Sequence, residues 1–225
     1  MTGLELKLAR KRLGWTQVTA AARLGVSQAY LSMLEQGVRR VPLKLQKKFV
    51  SALDLPPVAL PVQERQSTVR GDELAAELGA LGYSGFSHVR ARKVRWNPAD
   101  LLLMALKNSD LDSRLAEALP WMVWRYADLD WSRVVAHAKS HDLQNRLGFV
   151  VTLGRQLAER NGDSAAAGKL QTVESMLLGS VLARNDSLTR LTNAERRWLE
   201  TERPPEAKQW NVLSDLSVQH LSHAT

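Results

Sequence analysis

Four residues in one short stretch constrain this chain more than anything else in it: Thr16, Gly25, Ser27 and Gly37. A Thr or Ser oxygen accepts from the unpaired N–H groups at a helix start, and Gly takes the positive φ that lets a helix stop. Thr16 therefore opens a helix that Gly25 closes, and Ser27 opens another that Gly37 closes. Ala21 is small where two crossing helices must approach, and Leu24, Val26, Leu31 and Leu34 are apolar where the pair must bury itself. Two short helices joined by a tight Gly-containing turn follow the helix-turn-helix plan. Ahead of them, Leu4, Leu8 and Leu13 recur at near-helical spacing and predict a first helix of about ten residues that stops at Gly14.

Charge concentrates on the same stretch. The 225 residues carry a formal charge of +8, and residues 1–60 hold ten basic groups against three acidic ones, whereas residues 101–225 hold fifteen of each. Attraction to a polyanion is thus seated in the first quarter of the chain. With no Cys in the sequence, a disulfide scaffold, a thiolate metal site and a cysteine nucleophile are excluded. The longest apolar run, residues 101–106, is far below the roughly 20 residues a membrane span needs. Charged residues interrupt the leucines of the first twelve positions, so no signal-peptide centre is expected there. The expectation is a cytoplasmic protein with no membrane partner.

The stretch closely resembles the XRE family of helix-turn-helix regulators, which includes the lambda-type phage repressors and Cro proteins. The matching residues are Gly14-Trp15-Thr16-Gln17, Ala21, Leu24-Gly25-Val26-Ser27-Gln28, Leu31-Ser32 and Glu35-Gln36-Gly37. The resemblance implies that the helix after Ser27 enters the major groove of double-stranded DNA, with Gln28, Ala29, Ser32 and Met33 facing base edges. Gln28 can pair with adenine N7 and N6 together, while Ala29 and Met33 offer only apolar contact, so part of the specificity would rest on DNA shape. Gln17 would touch a phosphate and brace Gln28. Arg39, Arg40 and Lys44 would hold the DNA backbone, and Tyr30 is divided between a phosphate contact and packing. Arg10 and Glu35 match positions that form a partly buried ion pair in lambda-type repressors.

The remainder reads as helical. Pro42 opens a helix with Leu45, Phe49, Leu53 and Leu43 on its apolar stripe, closing a domain at residues 1–55. Residues 56–70, rich in Pro and then polar, read as an extended linker, and residues 71–225 as a larger helical domain. Asp72 can cap a helix carrying Leu74, Leu78 and Leu81. Residues 86–96 alternate in part and admit one short β-arm, bearing the basic cluster Arg90, Arg92, Lys93 and Arg95. That cluster is either a solvated face or a second contact to DNA or to an acidic partner. Further helices are expected at 98–107, 111–119, 121–126, 131–139, 143–160 and from Asp163, with a capping box at Thr192 to Glu195. The last twenty residues are expected to fray. The fold class is all-α.

Catalytic constellations are scarce. His137 and His141 stand four apart without the Glu of a zinc-protease pattern or a third ligand, Gly82 to Phe86 lacks the last Gly of a nucleophile elbow, and no phosphate-binding loop occurs. No metal, no cofactor and no enzymatic activity are therefore expected. The reading is a sequence-specific DNA-binding transcriptional regulator, a repressor acting as a homodimer on an inverted repeat. Its layout is similar to antitoxins of toxin-antitoxin operons, which makes a toxin the candidate protein partner of the carboxy-terminal domain. The alternative is a ligand-responsive regulator whose carboxy-terminal domain senses a small molecule.

Overall fold

The computed structural model describes residues 1–62, 69–89 and 94–221. The chain divides into two compact units, one of Met1–Gln63 with Arg95–Asn97, the other of Glu64–Val94 with Pro98–Thr225. Both are helical; among the described residues the only β pairing is two isolated bridges, Leu111 with Thr189 and Asp186 with Val212. No described helix is long and apolar enough to cross a membrane.

The first unit holds α1 (Gly3–Arg12), α2 (Gln17–Leu24), α3 (Gln28–Glu35) and α4 (Leu43–Ala52). Each of the first three is capped by the oxygen its sequence offers: Thr2 from Glu5 N, Thr16 from Thr19 N and Ser27 from Tyr30 N. Gly25 takes φ 66° and turns the chain between α2 and α3. Leu6, Ala9, Ala20, Ala21, Leu24, Leu31, Leu34, Phe49 and Leu53 make the core. Three expected core positions, Leu4, Leu8 and Leu43, are exposed instead. On α1 the buried stripe is Leu6, Ala9 and Arg10, and Leu4 and Leu8 are exposed. At 100° per residue Leu4 and Leu8 stand nearly opposite that stripe, so their spacing is helical but their phase is wrong. Leu43, at the first residue of α4, is likewise exposed. The proline stretch after α4 is not simply extended: Pro57–Ala59 form a 3₁₀ turn and Leu60 is buried. The Asn97 amide fastens it, donating to Val58 O at 2.9 Å and Leu60 O at 2.8 Å.

The second unit contains α5 (Gly71–Leu81), α6 (Pro98–Lys107), α7 (Ser113–Arg125), α8 (Trp131–Ser140), α9 (Gln144–Arg160), α10 (Ser164–Leu178), α11 (Asn193–Glu202) and α12 (Pro205–Gln209). Asp130, Asp163 and Thr192 cap α8, α10 and α11, but Asp72 lies inside the first turn of α5 rather than capping it. α9 is the axis of the unit and packs against α7, α8, α10 and α12. The segments expected as separate helices before and after Pro120 are one helix, α7, with Pro120 inside it. A mid-helix proline costs about 3 kcal/mol. The apolar face of α7, with Leu115, Leu119, Met122 and Val123 buried, gives the helix reason to continue. Of the last twenty residues, those described, up to Leu221, are packed: Trp210, Val212 and Leu213 are buried, and Arg160 donates to Val218 O at 2.6 Å and Leu221 O at 3.1 Å. The Trp210 ring packs directly against Gly148, where a Cβ would collide with it, and its indole N–H donates to Thr152 Oγ1 at 2.7 Å. Residues 84–86 are a 3₁₀ turn and not a strand; Arg90, Arg92 and Lys93 of the expected β-arm lie outside the described residues.

Candidate nucleic-acid interface

The exposed face of α3 is set from underneath by a buried ion pair. Arg10 of α1 donates from Nε to Glu35 Oε1 at 2.6 Å and from Nη2 to Oε2 at 3.0 Å, and from Nη1 to the carbonyl of Trp15 at 2.7 Å. One side chain thereby joins the end of α3 to the start of α2. Both charges are buried, Arg10 at 8% exposure and Glu35 at 7%, which is tolerable only because each is paired and hydrogen-bonded. Burial pushes the Glu35 carboxyl up, but the hydrogen bonds from Arg10 and Gln17 and the Arg10 charge outweigh it and hold it below the ordinary range. The hydrogen bond to Glu35 in turn raises the Arg10 guanidinium, against a smaller lowering by burial.

From Glu35 a relay of amides runs to the surface. Gln17 Nε2 donates to Glu35 Oε2 at 2.9 Å, and Gln28 Nε2 donates to Gln17 Oε1 at 2.8 Å. The carboxylate fixes the polarity of this relay, because an ionised carboxylate only accepts. Gln17 must turn its NH₂ inward, so its carbonyl faces Gln28, and Gln28 must meet that carbonyl with its own NH₂. Each amide nitrogen carries two protons and spends one in the relay. Gln28 is left with one N–H and a free carbonyl, the donor–acceptor pair that matches adenine N7 and N6. Gln17 keeps one N–H for a phosphate oxygen.

Gln28 and Ala29 are exposed at the start of α3, while Ser32 and Met33, one turn on, are half-buried. The Ser32 hydroxyl accepts from Gln36 Nε2 at 3.3 Å and keeps its own proton to donate. Tyr30 is half-buried and packs on the core cluster, which favours packing as its main role. Arg39, Arg40 and Lys44 follow α3, all exposed and none hydrogen-bonded through its side chain to a described residue. Their charges are therefore free for phosphates, and each phosphate they hold steepens the salt dependence of binding. Arg95 is exposed, with its guanidinium 5.4 Å from the centroid of the Trp96 ring.

One further interaction at this face has no signature in the local sequence. The Arg23 guanidinium lies 4.4 Å from the centroid of the Trp15 ring, a cation–π contact that ties the start of α2 to its last turn. The eight-residue separation puts the two outside any i, i+4 rule. His137 and His141, whose spacing suits metal ligands, stack face to face at 4.0 Å.

A family model described as Helix-turn-helix matches residues 6–60, which spans α1 to α4 and the 3₁₀ turn after them. No curated protein matches the chain. No solved structure matches it either.

Proposed function

Since residues 6–60 make this chain an XRE-like helix-turn-helix protein, a DNA-binding transcription regulator, we propose that it is a cytoplasmic repressor that binds an inverted repeat as a homodimer. The observation that carries the reading is the relay from Glu35 through Gln17 to Gln28. It presents an oriented amide at the start of α3, followed by three cations with no partner among the described residues. One domain of about 60 residues covers too little DNA for useful discrimination, so two copies on two half-sites supply it. Two-fold symmetry puts the half-site centres about 34–36 Å apart, or a multiple of that. The role involves no catalysis.

The test is selection from a random duplex pool with the full chain, followed by affinity measurements at fixed salt. The enriched sites should contain an inverted repeat, and Gln28→Ala with Arg40→Ala should abolish preference for it while the far-UV circular dichroism stays unchanged. Unchanged affinity of that double variant for the selected site would sink the reading.

A second reading adds a protein partner, as in an autoregulating antitoxin. It is favoured by large apolar side chains left exposed in the second unit, Trp198 at 53%, Leu178 at 48% and Met176 at 40%. Trp and Met are enriched where proteins meet. Co-expression with the flanking genes distinguishes it: a stoichiometric complex lost on Trp198→Ala supports a partner, and elution of the chain alone counts against one.

A further inference from the structure

From residue 101 onward acidic and basic residues balance, yet one open cleft of about 260 Å³ in the second unit does not share that balance. Its wall contains Arg146 of α9, Arg190, Arg196 of α11 and a single carboxylate, Asp186. That carboxylate is already committed. Asp186 Oδ1 accepts from Arg146 Nε at 2.8 Å, and Arg146 Nη2 lies 2.7 Å from the same oxygen. The Ser187 backbone N–H also donates to Oδ1, at 2.8 Å. Arg146 spends its remaining nitrogen on the carbonyls of Leu106 and Asn108. This pair is framework.

The Ser187 hydroxyl is spent on the Thr189 carbonyl, but the remaining polar side chains in the wall are donors with no acceptor among the described residues. Arg190 and Arg196 are exposed, and neither guanidinium has a hydrogen bond or ion pair with any described residue. Asn185 gives its carbonyl oxygen to Arg203 Nη1 at 2.9 Å, so the group it has left to offer is its NH₂. The hydroxyls of Ser109 and Thr189 line the same cleft and are likewise uncommitted. Three arginines against one aspartate leave two positive charges. Arg190, Arg196, Asn185, Ser109 and Thr189 supply more donors than the two oxygens of a carboxylate can take.

We propose that this cleft binds a small phosphorylated molecule by its phosphate group. A phosphate dianion matches the two surplus charges, and its three free oxygens take donors arriving from a loop, a helix and a turn together. The volume takes the phosphate and a body the size of a sugar. It gives the second unit a ligand that has nothing to do with α3, so the site stands whether or not the DNA reading holds.

The experiment is calorimetric titration of the full chain, in a phosphate-free chloride buffer, with inorganic phosphate and with ribose 5-phosphate. Saturable one-to-one binding is expected, tighter for ribose 5-phosphate if the ligand is an organic phosphate and equal for both if the anion alone is recognised. Arg190→Gln with Arg196→Gln should weaken it at least tenfold, whereas Arg39→Ala with Arg40→Ala should leave it unchanged. Amide shift mapping on the wild-type chain provides a measurement that needs no variant: the Asn185 side-chain NH₂, Ser109 and Thr189 should move. The proposal is overturned by absence of saturable binding, by full affinity in the Arg190/Arg196 variant, or by loss in the Arg39/Arg40 variant instead. It is also overturned if a single-stranded RNA dodecamer requires Arg190 and Arg196 while ribose 5-phosphate fails to bind.

Discussion

Arg10 with Glu35 in the first unit and Arg146 with Asp186 in the second are the same chemical object put to different use. Both are arginine–carboxylate pairs withdrawn from solvent. Arg10 engages both carboxylate oxygens, and one of these also accepts from Gln17, whose carbonyl then orients Gln28 at the surface. Arg146 crowds onto one oxygen and sends its last nitrogen to backbone carbonyls, so that pair ends in the chain. What a buried pair does is read from where its spare hydrogen bonds go. In the first unit they run outward and orient the Gln28 amide at the surface. In the second they run inward and leave Arg190 and Arg196 without a partner among the described residues.

The largest test of that contrast removes the cation from the first pair. Arg10→Met leaves the Glu35 carboxylate buried without its partner, a change that costs about 3–5 kcal/mol in comparable buried pairs. Denaturant unfolding followed by hydrogen exchange should show the loss in the amides of α1 to α3. DNA affinity should fall with it, because the relay loses its anchor. The same pair has an acid limb. The folded Glu35 pKa lies below its unfolded value, so the pair's stabilisation is complete above the ordinary glutamate range near about 4.3. It is lost as pH falls through the folded value. Glu35→Gln should be less stable at neutral pH and should lose less on acidification than the wild-type chain. Equal acid sensitivity of the two would show that the carboxylate is not held as described.

A smaller effect is expected from Gly148→Ala on α9. The new Cβ would meet the ring of Trp210, which is fully buried and hydrogen-bonded to Thr152, so the ring has little room to give. Overpacking of this kind costs about 1–3 kcal/mol. Hydrogen exchange should place the loss in α9 and the 205–213 segment, with affinity for the selected DNA site unchanged. A variant as stable as the wild type would mean that the close approach at Gly148 does not hold the 205–213 segment.

The two units also differ in how much of each the sequence discloses. In the helix-turn-helix region the caps, the φ > 0 glycine and the amide positions lie within a few residues of what they control, so local rules locate them. The same holds for the caps Asp130, Asp163 and Thr192. Local rules fail where a partner chooses the phase. Leu4 and Leu8 are spaced correctly for a helix, but it is α3 that decides which side of α1 is buried. They fail again where distant residues meet. Trp210 on Gly148 and Arg146 with Asp186 join positions dozens of residues apart, and nothing in either local sequence announces the other. The segment from 205 to 221 is weakly amphipathic and nonetheless packed, because Arg160 reaches two of its carbonyls and Trp210 packs against a glycine. Arg90, Arg92 and Lys93 of the basic cluster fall outside the described residues.

The smallest expected effect separates the two residues that the double variant removes together. Gln28 offers an oriented N–H and carbonyl, so Gln28→Ala should cost about 1–3 kcal/mol at its own base pair, flattening preference there and leaving the salt dependence alone. Arg40 is exposed, makes no side-chain hydrogen bond to a described residue and has no orienting neighbour comparable to Gln17. Arg40→Ala should therefore weaken binding to every sequence alike, and the slope of log K against log salt should flatten by about 0.9 for the one phosphate no longer neutralised. Measured over a salt series on the selected site and on single-base variants, the two substitutions should leave opposite signatures. If Arg40→Ala changes base preference and Gln28→Ala changes only the salt slope, the relay does not serve base reading, and the contrast between a pair that points outward and one that points inward loses its functional meaning.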